Sequence, residues 1–472
     1  MSRRNLAWLL GIAAVSVLSV GVFVRVPSRA DNKDYELVRL VVDVLHEVRE
    51  KYVVDIDEKR ERKLVEDMIN GGLERLDPHS TYINASEWKQ FEKQSKGKFG
   101  GIGIQVGYDR QNRGVLTVIS PMAGTPAYRA GVLAGDVILK IDGKPTENMR
   151  LSEAIDLIQG KKGEKITLTV LHEGAKEPVD ISMVRDEIKI DSVLGDLRKP
   201  DNPEQWEFFL DKKTYGVDRI GYIRLTNFSE TAAAEMKAAI TQLEKDGAQG
   251  LIIDLRNDPG GLLQSAVEVA DLFLENGRIV STKGRNEKEE IYDAKPEGTL
   301  MLPAEKYPIV VLVNKYSASA SEILAAALQD HGRAVVIGER SYGKGSVQNI
   351  IQMEGDGGRL KLTTASYWRP SGKNIHRFPD SKDTDEWGVK PNAGFEVPMK
   401  DEERIEYMQF RNDRDVVRGA KPDKSDDGDK KDDKGDKKKP FVDRVLEKAI
   451  DHLKKEVNKK GAALDVLDFK RA

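Results

Sequence analysis

The chain has 472 residues, enough for two or three domains of roughly 100–200 residues each. Lys and Arg total 76 and Asp and Glu total 79, so the net charge of −3 provides no basic excess for binding a nucleic-acid backbone. Cysteine is absent, which excludes disulfides, iron–sulfur clusters, thiolate zinc sites and thiol nucleophiles, and the six histidines form no H-E-x-x-H zinc motif. We therefore expect no metal, no other cofactor and no nucleic-acid partner.

The N-terminus has the pattern of a targeting segment. Residues 6–24 form an uncharged, mostly apolar run that follows two arginines, which indicates an export signal. The run is also about long enough to span a bilayer. Ser28 and Ala30 are small enough for a cleavage site, but Arg29 between them makes a poor one. A cleaved signal and a retained membrane anchor both stay open, and either predicts a periplasmic or other extracytoplasmic location.

Residues 35–96 are predicted to be helical. Apolar residues recur every three or four positions from Leu37 to Val48, as on one face of a helix. A second helix is predicted over 63–76 and a third over 87–95, which Ser86 would open.

From residue 98 the pattern changes to short β runs punctuated by glycine. Predicted strands cover 99–106, 114–119, 136–141 and 165–171, and predicted helices cover 125–130 and 150–159. These elements suit one small, partly open β barrel.

From residue 220 strands and helices alternate. Strands are predicted over 220–225, 250–255, 308–313 and 334–338, and helices over 230–245, 261–275 and 321–329. This alternation predicts an α/β fold with a mainly parallel sheet and helices packed on it.

The last part of the chain is a charged linker followed by an amphipathic helix. Residues 421–439 have no apolar side chain and cannot form a core. Residues 441–455 carry an apolar face that includes Val445, Leu446 and Leu453. That face must dock on the same chain or on a partner.

A run of small hydroxyl residues between the predicted strand at 308–313 and the next helix holds a candidate nucleophile, Ser319. Free N–H groups and the helix dipole stabilise negative charge at a helix N-terminus. An acyl-transfer nucleophile needs such an environment. The alternative is that these serines only cap the helix.

Lys344 is the candidate base. It follows the next strand, so a right-handed crossover would bring it and Ser319 to the same edge of adjacent strands. Burial lowers the pKa of a lysine and makes it a usable general base. Gln348 could hold the amine through its amide oxygen. The alternative is an ordinary solvated lysine in a turn.

The segment 338–344 also matches most of the phosphate-binding loop G-x-x-x-x-G-K-[ST]. Gly345 stands where that loop needs a magnesium-binding hydroxyl, and an exported protein rarely meets ATP. Nucleotide binding is therefore kept only as an alternative function.

A third element runs from the strand at 250–255 through Pro-Gly-Gly into a helix. Gly260 and Gly261 let backbone N–H groups approach a ligand closely. One of them would supply half of an oxyanion hole and Ala320 the other half, and which glycine donates stays open. The alternative is a tight strand–helix turn.

Arg256 precedes these glycines. It can form a structural ion pair with either of two nearby acids, Asp254 or Asp258.

Taken in order, these elements resemble the carboxy-terminal processing, or tail-specific, serine peptidases. The resemblance covers roughly residues 35–400 and rests on six motifs: 76–82 (LDPHSTY), 100–103 (GGIG), 254–261 (DLRNDPGG), 317–322 (SASASE), 343–348 (GKGSVQ) and 370–375 (PSGKNI). It implies that Ser319 is the nucleophile, Lys344 the general base and Gln348 the residue that orients the lysine. It further implies that Gly260 or Gly261 and Ala320 donate to the oxyanion.

The resemblance also implies that the GGIG loop belongs to a PDZ-like domain. A peptide can add as a strand beside residues 102–106 while loop N–H groups bind its terminal carboxylate. Leu157 can help to hold the last side chain, and the substrates would be proteins or peptides with free C-termini. The alternative is a β domain used for assembly only. The candidate substrate-binding residues are Gly100, Gly101, Ile102, Gly103 and Ile104.

The predicted fold class is α/β, a βαβ peptidase core that carries an inserted PDZ-like β domain and a helical N-terminal region. The predicted division is a signal peptide or membrane anchor (1–30), a helical region (31–96), a PDZ-like domain (97–190), a peptidase core (191–420), a disordered linker (421–440) and a C-terminal amphipathic helix (441–472). Residues 198–214 and 376–387 depart from the family pattern and leave a homo-oligomer or an adaptor protein open.

We therefore expect an exported, membrane-associated serine endopeptidase that uses a Ser–Lys dyad. The alternative from another class of protein is a PDZ scaffold with an inactive peptidase domain.

Overall fold

The computed structural model describes residues 32–88, 98–109, 114–286, 288–300, 306–355, 357–417 and 441–469. The predicted signal or anchor at 6–24, most of the predicted third helix and the predicted linker at 421–440 lie outside these ranges. Among the helices within them, none is both long enough and apolar enough to cross a membrane.

The chain divides into two compact units, one ending at Tyr82 and one beginning at Ile83. The described part of the first unit contains helices α1 (Asn32–Lys51) and α2 (Glu58–Glu74). Helix α2 begins five residues before the predicted start at 63. The reason is Asp57, whose carboxylate accepts the N–H of Arg60 at 2.8 Å and caps the helix before the apolar pattern starts. A short strand, β1 (Thr81–Ile83), follows, and residues 85–88 are helical.

The second unit begins with an antiparallel β domain. The strands are β2 (Lys98–Gly101), β3 (Ile104–Asp109), β4 (Val115–Pro121), β5 (Val137–Ile141), β6 (Lys144–Pro145), β7 (Lys165–Leu171), β8 (Val179–Val184) and β9 (Asp186–Lys189), and the helices are α3 (Pro126–Arg129) and α4 (Leu151–Ile158). The sheet has the strand order β3-β4-β5-β7-β8, with β6 beside β5, while β2 pairs with β9. The predicted strand at 99–106 is two strands, because Ile102 enters the core of the domain and Gly103 has φ 75°.

The predicted parallel sheet is confirmed. The elements are β10 (Val193–Leu194), β13 (Ile220–Leu225), α6 (Ala232–Lys245), β14 (Gly250–Asp254), α7 (Leu263–Asp271), β17 (Ile309–Val313), α8 (Ala320–Asp330) and β18 (Ala334–Gly338). The strand order is β10-β13-β14-β17-β18, in which the last four strands are parallel and the short β10 is antiparallel at one edge. Buried side chains of helices α6, α7 and α8 pack on one face of the sheet.

A C-terminal helix covers the opposite face of this sheet. Helix α10 (Arg444–Phe469) buries Leu446, Ala449 and Leu453 against Ile252 and Val310 of the strands. Helix α9 (Asp401–Asp415) contributes to the same layer through Tyr407. The amphipathic face predicted near the end of the chain therefore docks on the sheet of the same chain.

A second, antiparallel sheet was not predicted. It contains β15 (Arg278–Gly284), β16 (Glu290–Asp293), β19 (Ser346–Gln352) and β20 (Arg359–Trp368). Strand β20 lies between β15 and β19, and β16 continues the sheet beyond β15. Most side chains of β19 and β20 are half-buried or exposed, so the sequence carries no buried apolar run there. The remaining elements are β11 (Leu197–Arg198), β12 (Trp206–Glu207) and α5 (Lys212–Tyr215).

Candidate active site

Ser319 lies at the tight turn between β17 and α8. Its φ of 57° and ψ of −114° are unusual for a residue with a side chain, and such strain is typical of functional turns. The turn is anchored to the residue that follows β14, because the Ser317 hydroxyl donates to the carbonyl oxygen of Leu255 at 2.8 Å. Ser319 is 8% exposed, so its environment is largely dry.

Lys344 lies in the loop after β18. Strands β17 and β18 are parallel neighbours, with Val313 paired to Gly338, so the loops that carry Ser319 and Lys344 leave adjacent strands at the same edge. Burial lowers the pKa of the Lys344 amine, the positive charge of Lys361 lowers that pKa further, and the Glu322 carboxylate opposes both effects.

The loop that holds Lys344 does not have the context of a phosphate-binding loop. Such a loop needs a helix N-terminus directly after it. Here strand β19 begins at Ser346, two residues after the lysine. The nucleotide-binding alternative therefore has no structural support.

A buried carboxylate joins the two loops. The side chain of Glu322 is fully buried in the first turn of α8, and four groups donate hydrogen bonds to it. The N–H groups of Ser319 and Lys344 both donate to Oε2 at 2.8 Å. The Ser341 hydroxyl and the Gly343 N–H donate to Oε1 at 2.6 and 2.5 Å. Glu322 thus fixes the backbone of the candidate nucleophile against that of the candidate base.

Burial raises the pKa of Glu322 to about 7, although the hydrogen bonds from Ser341 and the three amides oppose this rise. The sequence analysis missed this residue. A glutamate at the third position of a helix is the usual partner in a capping box, so its contacts across the sheet edge left no separate signal.

The Pro-Gly-Gly turn lies directly against Ser319. A β-carbon on Gly260 would lie 2.8 Å from Cβ of Ser319 and 2.9 Å from the nitrogen of Ala320, and Gly260 has φ 98°. Only glycine allows this close approach. The Gly260 N–H already donates to Asp258 Oδ1 at 2.8 Å. Within the described residues no hydrogen bond occupies the N–H of Gly261 or of Ala320.

Asp258 supports this turn from inside the protein. Its side chain is fully buried, and burial raises its pKa well above the ordinary value, against the hydrogen bond from Gly260. The carbonyl of Asp258 accepts the Ala318 N–H at 3.0 Å and the Ser321 hydroxyl at 3.0 Å. The segment before the glycines is therefore tied to both sides of the Ser319 turn.

Arg256 pairs with Asp254 and not with Asp258. Its Nη2 lies 2.6 Å from Oδ2 of Asp254, and both side chains are almost completely buried. A second carboxylate, that of Asp443, lies 2.8 Å from the same nitrogen. The sequence offered no means of finding Asp443, which is 187 residues away.

Gln348 lies on β19. Its side-chain Nε2 donates to the hydroxyls of Ser346 at 2.8 Å and Thr363 at 3.2 Å. With the nitrogen so engaged, the amide oxygen is the acceptor that remains for an amine.

The candidate substrate-binding residues divide into two groups in the β domain. Gly100 and Gly101 belong to β2 and pair with Glu187 and Asp186 of β9. The Ile102 side chain is fully buried, whereas Ile104 is half-buried at the start of β3.

Strand β3 lies at the edge of its sheet. Among the described residues it pairs only with β4, so its other edge is available for a further strand. Helix α4 contacts β3, and Leu157 of that helix packs against the same apolar core as Ile104 and Val106 of the strand. An edge strand beside a helix has the form that accepts an extended peptide.

The chain was compared with known proteins. Residues 219–393 match peptidase family S41, and residues 117–171 match the PDZ domain. The chain is 40% identical over 408 residues to a carboxy-terminal-processing protease of Bartonella bacilliformis, a match that covers 84% of each protein. It is 36% identical over 369 residues to the carboxy-terminal processing protease CtpA of Bacillus subtilis, covering 78% of this chain and 71% of that protein.

Among solved structures, the chain is similar to a photosystem II D1 C-terminal processing protease at 27% identity. That match covers 75% of this chain and 86% of the other, with a TM-score of 0.41.

Proposed function

The chain belongs to peptidase family S41 as a carboxy-terminal processing serine protease with a PDZ domain, and we propose that it cleaves proteins through a dyad of Ser319 and Lys344. The observation that carries this proposal is the strained turn of Ser319, which faces the Pro-Gly-Gly turn while its amide shares an acceptor oxygen with the amide of Lys344. This combination supports a site in which the Ser319 hydroxyl, N–H donors with no hydrogen-bond partner among the described residues and a half-buried amine lie at one edge of the sheet.

In the first step Ser319 Oγ attacks the carbonyl carbon of the peptide bond, and its proton passes to the neutral amine of Lys344. The N–H groups of Gly261 and Ala320 stabilise the negative charge that develops on the carbonyl oxygen. We assign the donor role to Gly261, because the Gly260 N–H is already bonded to Asp258.

The tetrahedral intermediate then collapses, and the Lys344 ammonium gives its proton to the leaving amine. In the second half of the reaction water attacks the carbonyl carbon of the acyl-enzyme, with Lys344 again taking the proton. The ester bond to Ser319 then breaks, the carboxylic acid product leaves, and Lys344 returns the proton to Ser319 Oγ. Gln348 orients the lysine through its amide oxygen. The lowered pKa of Lys344 favours the neutral amine that both halves require.

We further propose that the PDZ domain selects substrates by their C-termini. The free edge of β3 supports this role, because an extended tail can pair with it while N–H groups of the turn between β2 and β3 bind the terminal carboxylate. Ile104 and Leu157 provide apolar surface for the last side chain. The proposed location is outside the cytoplasm, on the basis of the apolar segment at 6–24.

The test uses the full chain and an unstructured reporter protein that ends in an apolar residue. Ser319→Ala and Lys344→Ala should each abolish cleavage while binding of a C-terminal peptide is retained. Cleavage by Ser319→Ala at the wild-type rate would refute the dyad. Wild-type protein that binds the peptide but never cleaves the reporter would support the scaffold instead.

A further inference from the structure

One acidic residue of the C-terminal segment, Asp443, contacts the strand end that leads into the Pro-Gly-Gly turn. Asp443 directly precedes α10, and its Oδ1 accepts the N–H of Leu446 at 3.0 Å, as a helix cap does. The same carboxylate holds Arg256 with two hydrogen bonds, of 2.9 Å from Nη1 and 2.8 Å from Nη2. The Asp443 carboxylate therefore caps α10 and also binds the arginine that follows β14.

Arg256 is enclosed on all sides. Its side chain is 0% exposed, that of Asp254 is 1% exposed and that of Asp443 is 4% exposed. The ring of Tyr407 lies 4.3 Å from the guanidinium carbon, and the Tyr222 hydroxyl donates to Asp254 at 2.7 Å. A buried guanidinium that loses one carboxylate keeps hydrogen-bond donors without an acceptor and a charge that is poorly compensated. Loss of either Asp254 or Asp443 is therefore costly.

Arg256 also lies at the start of the segment that forms the Pro-Gly-Gly turn. Its own N–H is bonded to Asp254 at 3.0 Å, and Asn257, the next residue, has φ 62°. Asn257 exchanges hydrogen bonds with Asn314, at the start of the Ser319 turn, at 3.1 and 3.0 Å. Neighbouring residues and their hydrogen bonds therefore connect Arg256 to the Pro-Gly-Gly turn and to the turn of Ser319.

We propose that Asp443 is a positioning residue for the oxyanion-binding turn. By holding both terminal nitrogens of Arg256, it fixes the end of β14 from which Gly260 and Gly261 extend. The C-terminal segment is then needed for the rate of catalysis, beyond its part in folding. This inference rests on the proposed dyad and its oxyanion donors.

The test compares Asp443→Asn with Leu446→Ala in the full chain. Leu446 is 1% exposed in the same helix, so its truncation also weakens the docking of α10, but it leaves the Arg256 cluster intact. Asp451→Asn, an exposed acid on the same helix, is the control for charge. Both kcat and KM are measured at a temperature where circular dichroism shows every variant to be folded.

We expect Asp443→Asn to lose about tenfold or more in kcat, with KM for the reporter changed less than about twofold. Leu446→Ala should lower the melting temperature yet keep kcat within about twofold of wild type, and Asp443→Glu should recover part of the loss. Equal kcat values for Asp443→Asn and Leu446→Ala would overturn the inference.

Should Asp443→Asn fail to fold, Asp443→Glu decides the question. It keeps the charge but moves the carboxylate by one methylene, so a severalfold loss of kcat is expected and a wild-type kcat would overturn the inference. The proposed function fails separately: if Ser319→Ala cleaves normally, the dyad is wrong whatever the Asp443 variants do.

Discussion

The backbone amides of Ser319 and Lys344 share one acceptor, a carboxylate oxygen that lies 2.8 Å from each nitrogen. The two residues come from loops after adjacent parallel strands. A single buried side chain, that of Glu322, therefore holds the backbones of the candidate nucleophile and the candidate base together, in addition to the packing of the sheet.

Replacing Glu322 with Gln should lower kcat by about tenfold or more, because an amide presents donor hydrogens to groups that are themselves donors. The four hydrogen bonds to the carboxylate cannot all be kept. Steady-state kinetics on the unstructured reporter measure the effect. Glu268→Gln, an exposed change on α7, is the control, and a wild-type kcat for Glu322→Gln would contradict the positioning role.

The rate of cleavage should rise with pH as Lys344 loses its proton. Because burial and the charge of Lys361 both lower the pKa of Lys344, the rise occurs below the ordinary lysine range. Lys361→Met removes the nearby positive charge. The pKa of Lys344 should then be higher, so the rise in kcat/KM should move to higher pH. Lys237→Gln, an exposed change on α6, should not move the profile.

Protonation of Glu322 should cause a second decrease in the cleavage rate on the acidic side of the same pH–rate profile. Its pKa is raised to about 7, so it becomes protonated below neutral pH and then loses acceptor capacity toward the two loops. In the Glu322→Gln variant that acidic step should be absent, which distinguishes it from the titration of Lys344. An acidic step that persists in the variant would assign it to another group.

Asp258→Asn should stabilise the protein at neutral pH. The pKa of Asp258 is raised in the folded state, so the folded protein holds a proton that the unfolded chain releases. Stability from this group is therefore full below the unfolded pKa of about 3.9 and is lost as pH rises toward the folded pKa. The melting temperature of the variant should exceed that of wild type at pH 8 and approach it near pH 4. If the variant is equally stable or less stable than wild type at pH 8, burial of the ionised Asp258 carboxylate does not destabilise the folded protein.

Ile104→Asp should weaken the binding of a C-terminal peptide and raise KM, with kcat little changed, because it places a charge in the apolar surface beside β3. Fluorescence anisotropy of a labelled peptide measures the affinity. Val179→Asp, an exposed position on β8, is the control for an added charge in the same domain. Unchanged peptide affinity in Ile104→Asp would move the binding site away from the β3 edge.

The sequence predicted those parts of the fold whose pattern is local. Strands β7, β13 and β18 have the predicted limits, because alternating or continuous apolar residues mark each of them in the sequence. The sheet built from β19 and β20 escaped prediction, since its side chains are mostly half-buried and follow no simple period.

For the candidate site, the sequence identified the residue types and their order but not the groups that fix them. Glu322 has the pattern of a helix cap, and Asp443 reaches Arg256 across 187 residues of chain. The unusual backbone of Ser319 also has no sequence signal, since serine is an ordinary residue at a helix start. Contacts of this kind depend on the folded arrangement and cannot be read from spacing.

The helix that covers one face of the parallel sheet, α10, is the last described element of the chain. During synthesis all four parallel strands leave the ribosome before Val445 is made, so the part of the sheet that α10 covers stays exposed until that helix is complete. A nascent chain stopped before that helix carries Arg256 with only one of its two counter-charges.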